Sequence, residues 1–246
     1  MRIINERTIV GVPCLEIDPY LPPVGTIILY HGWGSNIRDY LFFGSMISDW
    51  GYKVIIPELP HHGERGNLAY FDTVILQQHF WSVVIQAVEE ASTIITNILN
   101  TDHPVGIIGN SAGGFIAGGV CATNSNVNSA VVMNASCAWL RSEEIFREHD
   151  GRSPMSAIEA ENMGEYDPLF NIDGSNDQAF LLLHGKEDTT IPIESQRYFM
   201  ERMSVKDYQT PLKFVEYAGV NHQITLGMLQ EAKEWLKKYV HVKKGT

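Results

Sequence analysis

The chain has 246 residues, of which 18 are lysine or arginine and 29 are aspartate or glutamate, so its formal net charge at pH 7 is −11. This acidic balance argues against a nucleic-acid-binding protein, which needs a basic face for phosphate, and against a protein that binds an anionic membrane surface. A hydrophobic content of 44% with 19% charged residues is ordinary for a globular protein and excludes long disordered segments.

The N-terminal sequence mixes charged and apolar residues and lacks the apolar stretch of a signal peptide. No apolar run approaches the ~18 residues that cross a bilayer. The three cysteines, Cys14, Cys121 and Cys137, are scattered without a C-x-x-C spacing, so neither a zinc ribbon nor a redox pair is indicated. We therefore expect a cytoplasmic protein with reduced thiols.

Short apolar runs alternate with longer amphipathic segments along the chain. The predicted strands are residues 8–12, 14–17, 26–30, 53–57, 105–109, 130–134, 179–184 and 212–217. The predicted helices are residues 39–50, 73–100, 112–122, 194–203 and 226–239. The first two strands read as a hairpin, and the later alternation of strands and helices predicts βαβ units in a mostly parallel sheet.

Segment 136–175 departs from this alternation, since it has many charges, two prolines and no strong strand pattern. A connection of about 2–6 residues would be usual at this point. We therefore predict one domain over residues 1–246, with 136–175 as a small helical insertion over the sheet edge. Its apolar residues, among them Trp139 and Phe146, are expected to pack on the core and, as a lid, to line a substrate pocket.

Residues 109–113, Gly-Asn-Ser-Ala-Gly, fit the pattern G-x-S-x-G between a predicted strand and a predicted helix. A sharp strand–turn–helix connection needs glycines because its backbone is strained and crowded. Such a turn exposes the Ser111 hydroxyl and aims the amides at the helix N-terminus toward developing negative charge. The alternative is a turn with a packing role alone. The glycines do not have the spacing of a phosphate-binding loop.

A serine hydroxyl needs a base and an acid that orients the base. Asp188 follows the predicted strand AFLLLH, and Glu187 is its neighbouring competitor. His222 follows the predicted strand LKFVEY. The chain order of Ser111, then Asp188, then His222 is that of α/β-hydrolases, with each residue at a strand exit.

The sequence Tyr-His-Gly-Trp-Gly-Ser at residues 30–35 follows the predicted strand TIILY. Its glycines allow the backbone to approach a reacting carbonyl, so the amides of Trp33 and Ala112 are predicted to bind an oxyanion. A plain turn is the alternative. We expect His31 to brace this loop, because no acid is evident in the sequence to orient it as a base.

The loop after the strand KVIIP contains Glu58, His61, His62 and Glu64. Imidazole and carboxylate groups suit transition metals, but adjacent histidines usually point apart. We expect no metal here and consider His62, together with His31, as candidates to line the substrate site. An exposed surface loop is the alternative.

These segments together resemble the α/β-hydrolase superfamily over nearly the whole chain. The matching sequences are HGWGS (31–35), GNSAGG (109–114), HGKEDTTIP (184–192) and NHQ (221–223). The spacing HG-x-x-D-x-x-x-P is similar to the prolyl-oligopeptidase-like and dienelactone-hydrolase-like branches, and the loop PELPHHGERG resembles their small bacterial esterases. The resemblance implies Ser111 as nucleophile, His222 as general base and then acid, and Asp188 as its orienter. It also implies oxyanion amides at Trp33 and Ala112, with no metal or organic cofactor.

The sequence therefore predicts an α/β protein with the α/β-hydrolase fold, namely a mostly parallel central sheet flanked by helices with a small helical lid. The expected function is that of a serine hydrolase of the carboxylesterase type, acting on a small-molecule ester. One alternative is a prolyl-oligopeptidase-like peptidase or amidase that takes a short peptide. Another is a non-catalytic binding protein on the same fold. No nucleic-acid or membrane partner is expected, and the sequence carries no signal for an oligomeric state.

Overall fold

The computed structural model describes residues 3–99, 103–174, 177–206 and 210–241. Within these ranges the strands are Ile4–Ile9 (β1), Val12–Ile17 (β2), Thr26–Tyr30 (β3), Lys53–Pro57 (β4), Val105–Asn110 (β5), Val127–Met133 (β6), Ala179–Gly185 (β7) and Leu212–Tyr217 (β8). The helices are Leu41–Asp49 (α1), Thr73–Ile98 (α2), Ala112–Thr123 (α3), Trp139–Asp150 (α4), Ala157–Gly164 (α5), Pro168–Asn171 (α6), Glu194–Ser204 (α7) and Leu226–Tyr239 (α8). A short 3-10 helix covers Gly63–Arg65.

One eight-stranded sheet has the order β1-β2-β4-β3-β5-β6-β7-β8. The β1–β2 and β2–β4 pairs are antiparallel, and the pairs from β4–β3 to β7–β8 are parallel. The prediction of a mostly parallel sheet flanked by helices is thus confirmed. The parallel strands place the loops that follow β3, β5, β7 and β8 along one edge of the sheet.

Helices cover both faces of the sheet, which explains why the central strands are continuous apolar runs. On one face, α2, α3, α7 and the segment that follows β6 form a core with buried Phe115, Trp139 and Phe199. On the other face, α1 and α8 contribute buried Ile47 and Leu236. Since α3 is buried over most of its length, the connection that precedes it is held firmly in place.

The N-terminal hairpin is present, but its first strand is Ile4–Ile9 instead of residues 8–12. The turn falls at Val10 and Gly11, both with positive φ. β1 is a mostly exposed edge strand and therefore lacks the apolar alternation that marks a half-buried strand.

β6 begins at Val127, three residues before the predicted 130–134. The prediction began late because Asn128 and Ser129 are polar and interrupt the apolar run. In the structure, the side chains of both form hydrogen bonds to neighbouring strands. Asn128 Oδ1 accepts the N–H of Val105 at 2.9 Å, and Ser129 Oγ donates to the carbonyl of Ala179 at 2.8 Å.

The segment between β6 and β7 contains α4, α5 and α6 and no strand among its described residues. Ser156 and Glu159 form a capping box at α5, and Asp167 accepts the N–H of Leu169 at the start of α6. Residue 175 of the predicted insertion and residue 100 of the predicted helix 73–100 lie outside the described ranges. Among the described helices, none is both long enough and apolar enough to cross a membrane.

Candidate active site

Ser111 occupies the sharp turn between β5 and α3. It has φ 57° and ψ −125°, a strained conformation for a residue with a side chain. Its N–H donates to the carbonyl of Met133 in β6 at 3.0 Å, and its carbonyl accepts the N–H of Gly114 at 2.8 Å. The sheet and the helix therefore hold the backbone of this serine from both sides.

Two glycines make this turn sterically possible. A Cβ atom at Gly109 would overlap the carbonyl of Gly113, and one at Gly113 would overlap the carbonyl oxygen of Tyr30 at the end of β3. The pattern G-x-S-x-G is thus required by the close approach of α3 to β3 and β5.

Asp188 follows β7 and His222 follows β8, and the two side chains are hydrogen-bonded. His222 Nδ1 lies 2.8 Å from Asp188 Oδ2, while Asp188 Oδ1 accepts the N–H groups of Thr190 and Ile191 at 2.9 Å each. Burial alone would raise the pKa of Asp188, but hydrogen bonds from His184, His222 and the amide of Ile191 outweigh it and hold that pKa well below its usual range. The carboxylate is therefore ionised and able to fix the ring of His222.

Glu187, the neighbouring carboxylate, contacts other groups. Its Oε2 accepts the N–H of Gly219 at 2.7 Å and that of Val220 at 3.1 Å. Glu187 thus ties down the loop that leads to His222. Of the two adjacent acids, Asp188 is the one in contact with the imidazole.

The sequence interpretation missed a role for His184. This fully buried histidine at the end of β7 has its Nε2 3.3 Å from Asp188 Oδ2 and 2.9 Å from the carbonyl of Ile191. From the core, it thus contacts the same carboxylate oxygen that faces His222. The signal was present in the quoted motif, because HG-x-x-D places a histidine four residues before the aspartate.

The loop after β3 lies against the serine turn. A Cβ built on Gly32 would be 3.6 Å from the Cβ of Ser111. The indole N–H of Trp33 donates to the carbonyl of Tyr70 at 2.9 Å. Ala112 is the first residue of α3, so its N–H has no acceptor within the helix. Gly32 in the loop after β3 and Ala112 at the start of α3 therefore both adjoin Ser111.

A cavity of about 410 Å³ opens beside Ser111 and His222. Its apolar lining includes Trp33, Phe80 and Trp81, together with Phe146 from α4. The volume lies in the usual range for small-molecule sites, about 300–1,000 Å³. Ser111 and His222 thus line one partly aromatic cavity.

Of the four residues predicted to line the substrate site, Phe146 alone is part of the cavity lining. His31, His62 and Trp139 are fully buried and are not among the residues that line this cavity. Nε2 of His62 accepts the N–H of Gly34, and Nε2 of His31 accepts the N–H of Leu59. The centroid of the Trp139 ring lies 5.5 Å from that of Trp81.

A charged network forms another wall of the cavity. Buried Glu143 of α4 accepts the indole N–H of Trp81 at 2.9 Å, the Nε–H of Arg147 at 2.6 Å and an N–H of Arg152 at 2.8 Å. Gln77 of α2 donates to Asp150 at 3.0 Å, so α4 is connected to α2 across this wall. Because these charges are paired with one another, the network does not present a strong single-sign field.

The four candidate ligands in the loop after β4 do not converge. Glu58 and His62 are buried, whereas His61 and Glu64 are exposed. Across the described residues, no group of three or more histidine, cysteine or acidic side chains is arranged to hold a metal ion.

Comparisons with known proteins agree with the sequence interpretation. The model of the prolyl oligopeptidase family matches residues 45–243. Esterase YjfP of Escherichia coli is 23% identical over 249 residues, which cover 96% of this chain and 99% of that protein. The putative esterase YitV of Bacillus subtilis is 22% identical over 257 residues, with 96% and 99% coverage.

Solved structures with the same architecture include TT1662 from Thermus thermophilus, with a TM-score of 0.79, 17% identity and coverage of 99% of this chain and 100% of that one. The acylaminoacyl peptidase of Pyrococcus horikoshii gives a TM-score of 0.72 at 14% identity, and the match covers all of this chain but 43% of that one. These likenesses concern the fold, and the predicted α/β-hydrolase fold is confirmed.

Proposed function

The chain belongs to the prolyl oligopeptidase family and is a serine hydrolase of the esterase or peptidase type; we propose that it cleaves a carboxylic ester of a small substrate. The observation that carries this proposal is the 2.8 Å contact between Asp188 and His222 beside a cavity that Ser111 also lines. Ser111 is the proposed nucleophile, His222 the general base and Asp188 the group that orients it.

In the proposed reaction, Nε2 of His222 takes the hydroxyl proton as Ser111 Oγ attacks the acyl carbon. Asp188 holds the proton on Nδ1 and stabilises the imidazolium. The N–H groups of Trp33 and Ala112 receive the oxyanion, and His222 then protonates the leaving alcohol. Water, deprotonated by His222, attacks the acyl-enzyme, and the acid leaves as Ser111 regains its proton.

Two observations favour an ester of a small, neutral substrate. The curated relatives that match over nearly their whole length carry esterase names. The cavity beside Ser111 is aromatic on one side, and the charged groups on the other side are paired with one another. We also propose that α4 acts as part of a lid, since Phe146 and the Glu143 network belong to the cavity wall.

A peptidase or amidase is the second candidate, supported by the family match and by the structural likeness to an acylaminoacyl peptidase. The same triad could protonate an amine leaving group. Rates on matched ester and anilide substrates with one acyl group separate the two. The cytoplasmic location stays a prediction.

The first test is covalent labelling of the native protein with a fluorophosphonate, followed by peptide mapping. We expect modification at Ser111, and loss of both labelling and ester turnover in Ser111→Ala. Labelling should also disappear in His222→Ala and after heat denaturation, because the serine needs its assembled base.

Ser111→Ala must retain the unfolding midpoint of the wild type, so that a loss of activity reflects the missing hydroxyl and not a loss of folding. Ester turnover that persists in a folded Ser111→Ala variant would exclude the proposed nucleophile. A folded wild type that neither labels nor hydrolyses esters or anilides would favour the binding-protein alternative.

A further inference from the structure

The proposed oxyanion donor Trp33 N–H belongs to the same peptide unit as the carbonyl of Gly32. In a trans peptide these two groups point in opposite directions, and the described residues contain no cis peptide. Whatever holds the Gly32 oxygen therefore also sets the direction of the Trp33 N–H. Two groups lie at that oxygen, namely Nδ1 of His31 at 2.9 Å and the N–H of Ser35, which donates to it at 3.3 Å.

The partners of His31 define where its protons lie. A carbonyl oxygen only accepts hydrogen bonds, so Nδ1 of His31 must be the donor to Gly32. On the other side of the ring, Nε2 lies 2.9 Å from Glu58 Oε1 and 3.2 Å from the N–H of Leu59. The N–H of Leu59 donates to Nε2, and the Glu58 carboxyl oxygen lies against the same nitrogen. The expectation that no acid faces His31 was therefore wrong.

Both members of this pair are removed from water, since His31 is 0% exposed and Glu58 is 2% exposed. The other carboxyl oxygen of Glu58 packs directly on Gly63, where any Cβ atom would overlap it. The carboxyl group therefore has little freedom to turn away from the imidazole. Buried polar groups of this kind are costly unless they are mutually satisfied.

We propose that Glu58 and His31 are a positioning pair for the oxyanion hole, which holds the Gly32–Trp33 peptide with its N–H directed at the substrate carbonyl oxygen. The inference rests on the proposed function, because it assigns a second buried acid–imidazole pair to the same reaction. Asp188 and His222 act on the nucleophile, whereas Glu58 and His31 orient the peptide N–H that would bind the oxygen of the substrate carbonyl.

The neighbouring amides of the loop support this assignment. The N–H of Gly32 donates to the Tyr40 hydroxyl at 3.1 Å, and the N–H of Gly34 donates to His62 Nε2 at 3.1 Å. Both flanking amides are therefore engaged within the protein. A hydrogen bond to the Gly32 carbonyl also polarises the peptide and strengthens its N–H as a donor.

The test compares substitutions at His31 that keep or remove the donor to Gly32. His31→Asn places an amide N–H near the position of Nδ1, whereas His31→Leu has no donor. In His31→Leu we expect kcat to fall about 10- to 100-fold, less than the ~100- to 1,000-fold of losing an oxyanion donor outright, with KM within about threefold. His31→Asn should recover kcat to within about fivefold of the wild type.

A second pair covers the case in which His31→Leu does not fold. Glu58→Gln keeps a polar group of the same size against His31 Nε2, whereas Glu58→Met does not, so Glu58→Met should lose kcat and Glu58→Gln should lose much less. A trifluoromethyl ketone, whose adduct has an oxyanion, should lose affinity in parallel with kcat. The matched secondary alcohol, which forms no oxyanion, should bind equally to each variant.

A measurement on the unaltered protein completes the test. In ¹⁵N-histidine-labelled wild type, the His31 signal, assigned by its absence in His31→Asn, should show a protonated Nδ1 at neutral pH. An unprotonated Nδ1 overturns the proposal, and so does a folded His31→Leu variant with the kcat of the wild type while Ser111→Ala is inactive. Turnover retained in Ser111→Ala would instead overturn the proposed function, and this inference with it.

Discussion

Two adjacent acidic side chains at the exit of β7 have different partners, and this difference can be measured. Asp188→Asn places an amide opposite His222 Nδ1 and favours the tautomer that cannot accept the serine proton, so we expect kcat to fall by about 10³- to 10⁴-fold. Glu187→Gln keeps an oxygen for the Gly219 and Val220 amides, and kcat should stay within about twofold. Steady-state ester hydrolysis measures both.

Circular dichroism should show that both variants fold as the wild type does. Since Asp188 is buried and accepts several hydrogen bonds, Asp188→Asn should also lower the unfolding midpoint slightly. A large loss of kcat in Glu187→Gln with little loss in Asp188→Asn would assign the orienting role to the other acid.

His62 predicts a pH dependence of stability. Burial lowers the pKa of His62 from 6.5 to about 4, so between these values the unfolded chain binds more protons than the folded one. The free energy of unfolding should therefore fall as the pH drops from about 6.5 to about 4, by at most about 1.4 kcal/mol per pH unit for this group. Urea unfolding at several pH values measures the slope.

His62→Gln keeps an acceptor for the Gly34 amide but does not titrate, so its stability should depend less on pH in that window. The adjacent His61 is exposed and has positive φ, a conformation that asparagine tolerates, which makes His61→Asn the matched control. Equal pH slopes in His62→Gln and the wild type would show that His62 does not titrate in this way.

At the scale of elements, the connection between β5 and α3 tolerates no side chain at Gly113. A Cβ atom there meets the backbone oxygen of Tyr30, and backbone on both sides leaves nothing to move away. We expect Gly113→Ala to be destabilised by at least about 3 kcal/mol or to fail to fold. The yield of soluble protein and the urea midpoint measure this effect.

Gly164, at the end of α5, is the matched helical control, because a Cβ atom built there meets nothing within 4 Å. Gly164→Ala should raise stability by about 0.5 kcal/mol, owing to the higher helix propensity of alanine. If Gly113→Ala were as stable as Gly164→Ala, the close approach of α3 to β3 would be wrong.

The elements that the sequence predicts well are those with a clear burial pattern. β3 is a continuous apolar run, β4 is apolar after Lys53, and α8 shows an amphipathic repeat, so their bounds follow from these patterns. The bounds of β1 were mispredicted because an exposed edge strand has no apolar face that sequence patterns could indicate. The start of β6 was missed because Asn128 and Ser129 are polar. Their hydrogen bonds to neighbouring strands can be expected only once the sheet order is known.

At the scale of the whole molecule, parallel pairing explains why the candidate triad could be located from sequence. Strands β5, β7 and β8 run in one direction, so residues at their carboxyl ends meet at one edge. That argument places Ser111 beside Asp188 and His222. It cannot place Glu58 on His31 or His184 on Asp188, because those contacts depend on side-chain directions in buried loops.

The three cysteines allow the cooperativity of the whole fold to be measured. Cys14 lies on β2, Cys121 on α3 and Cys137 just before α4, and all three are buried. Burial raises the pKa of each thiol, to about 12 for Cys14, so both access and ionisation oppose their reaction. We expect no modification by dithionitrobenzoate in native buffer and joint modification of all three when urea unfolds the chain.

The urea dependence of labelling at Cys137 shows whether the start of the proposed lid unfolds together with the core or separately. Its N–H donates to Gln196 of α7 at 3.0 Å, and the next aromatic residue, Trp139, is fully buried. The start of α4 is therefore anchored in the core, and any opening of the cavity has to begin beyond Trp139. Peptide mapping after partial labelling should accordingly give Cys137 the same urea dependence as Cys14. Earlier labelling of Cys137 would mean that the segment after β6 opens as a separate unit, with the anchor at Gln196 released before the sheet unfolds.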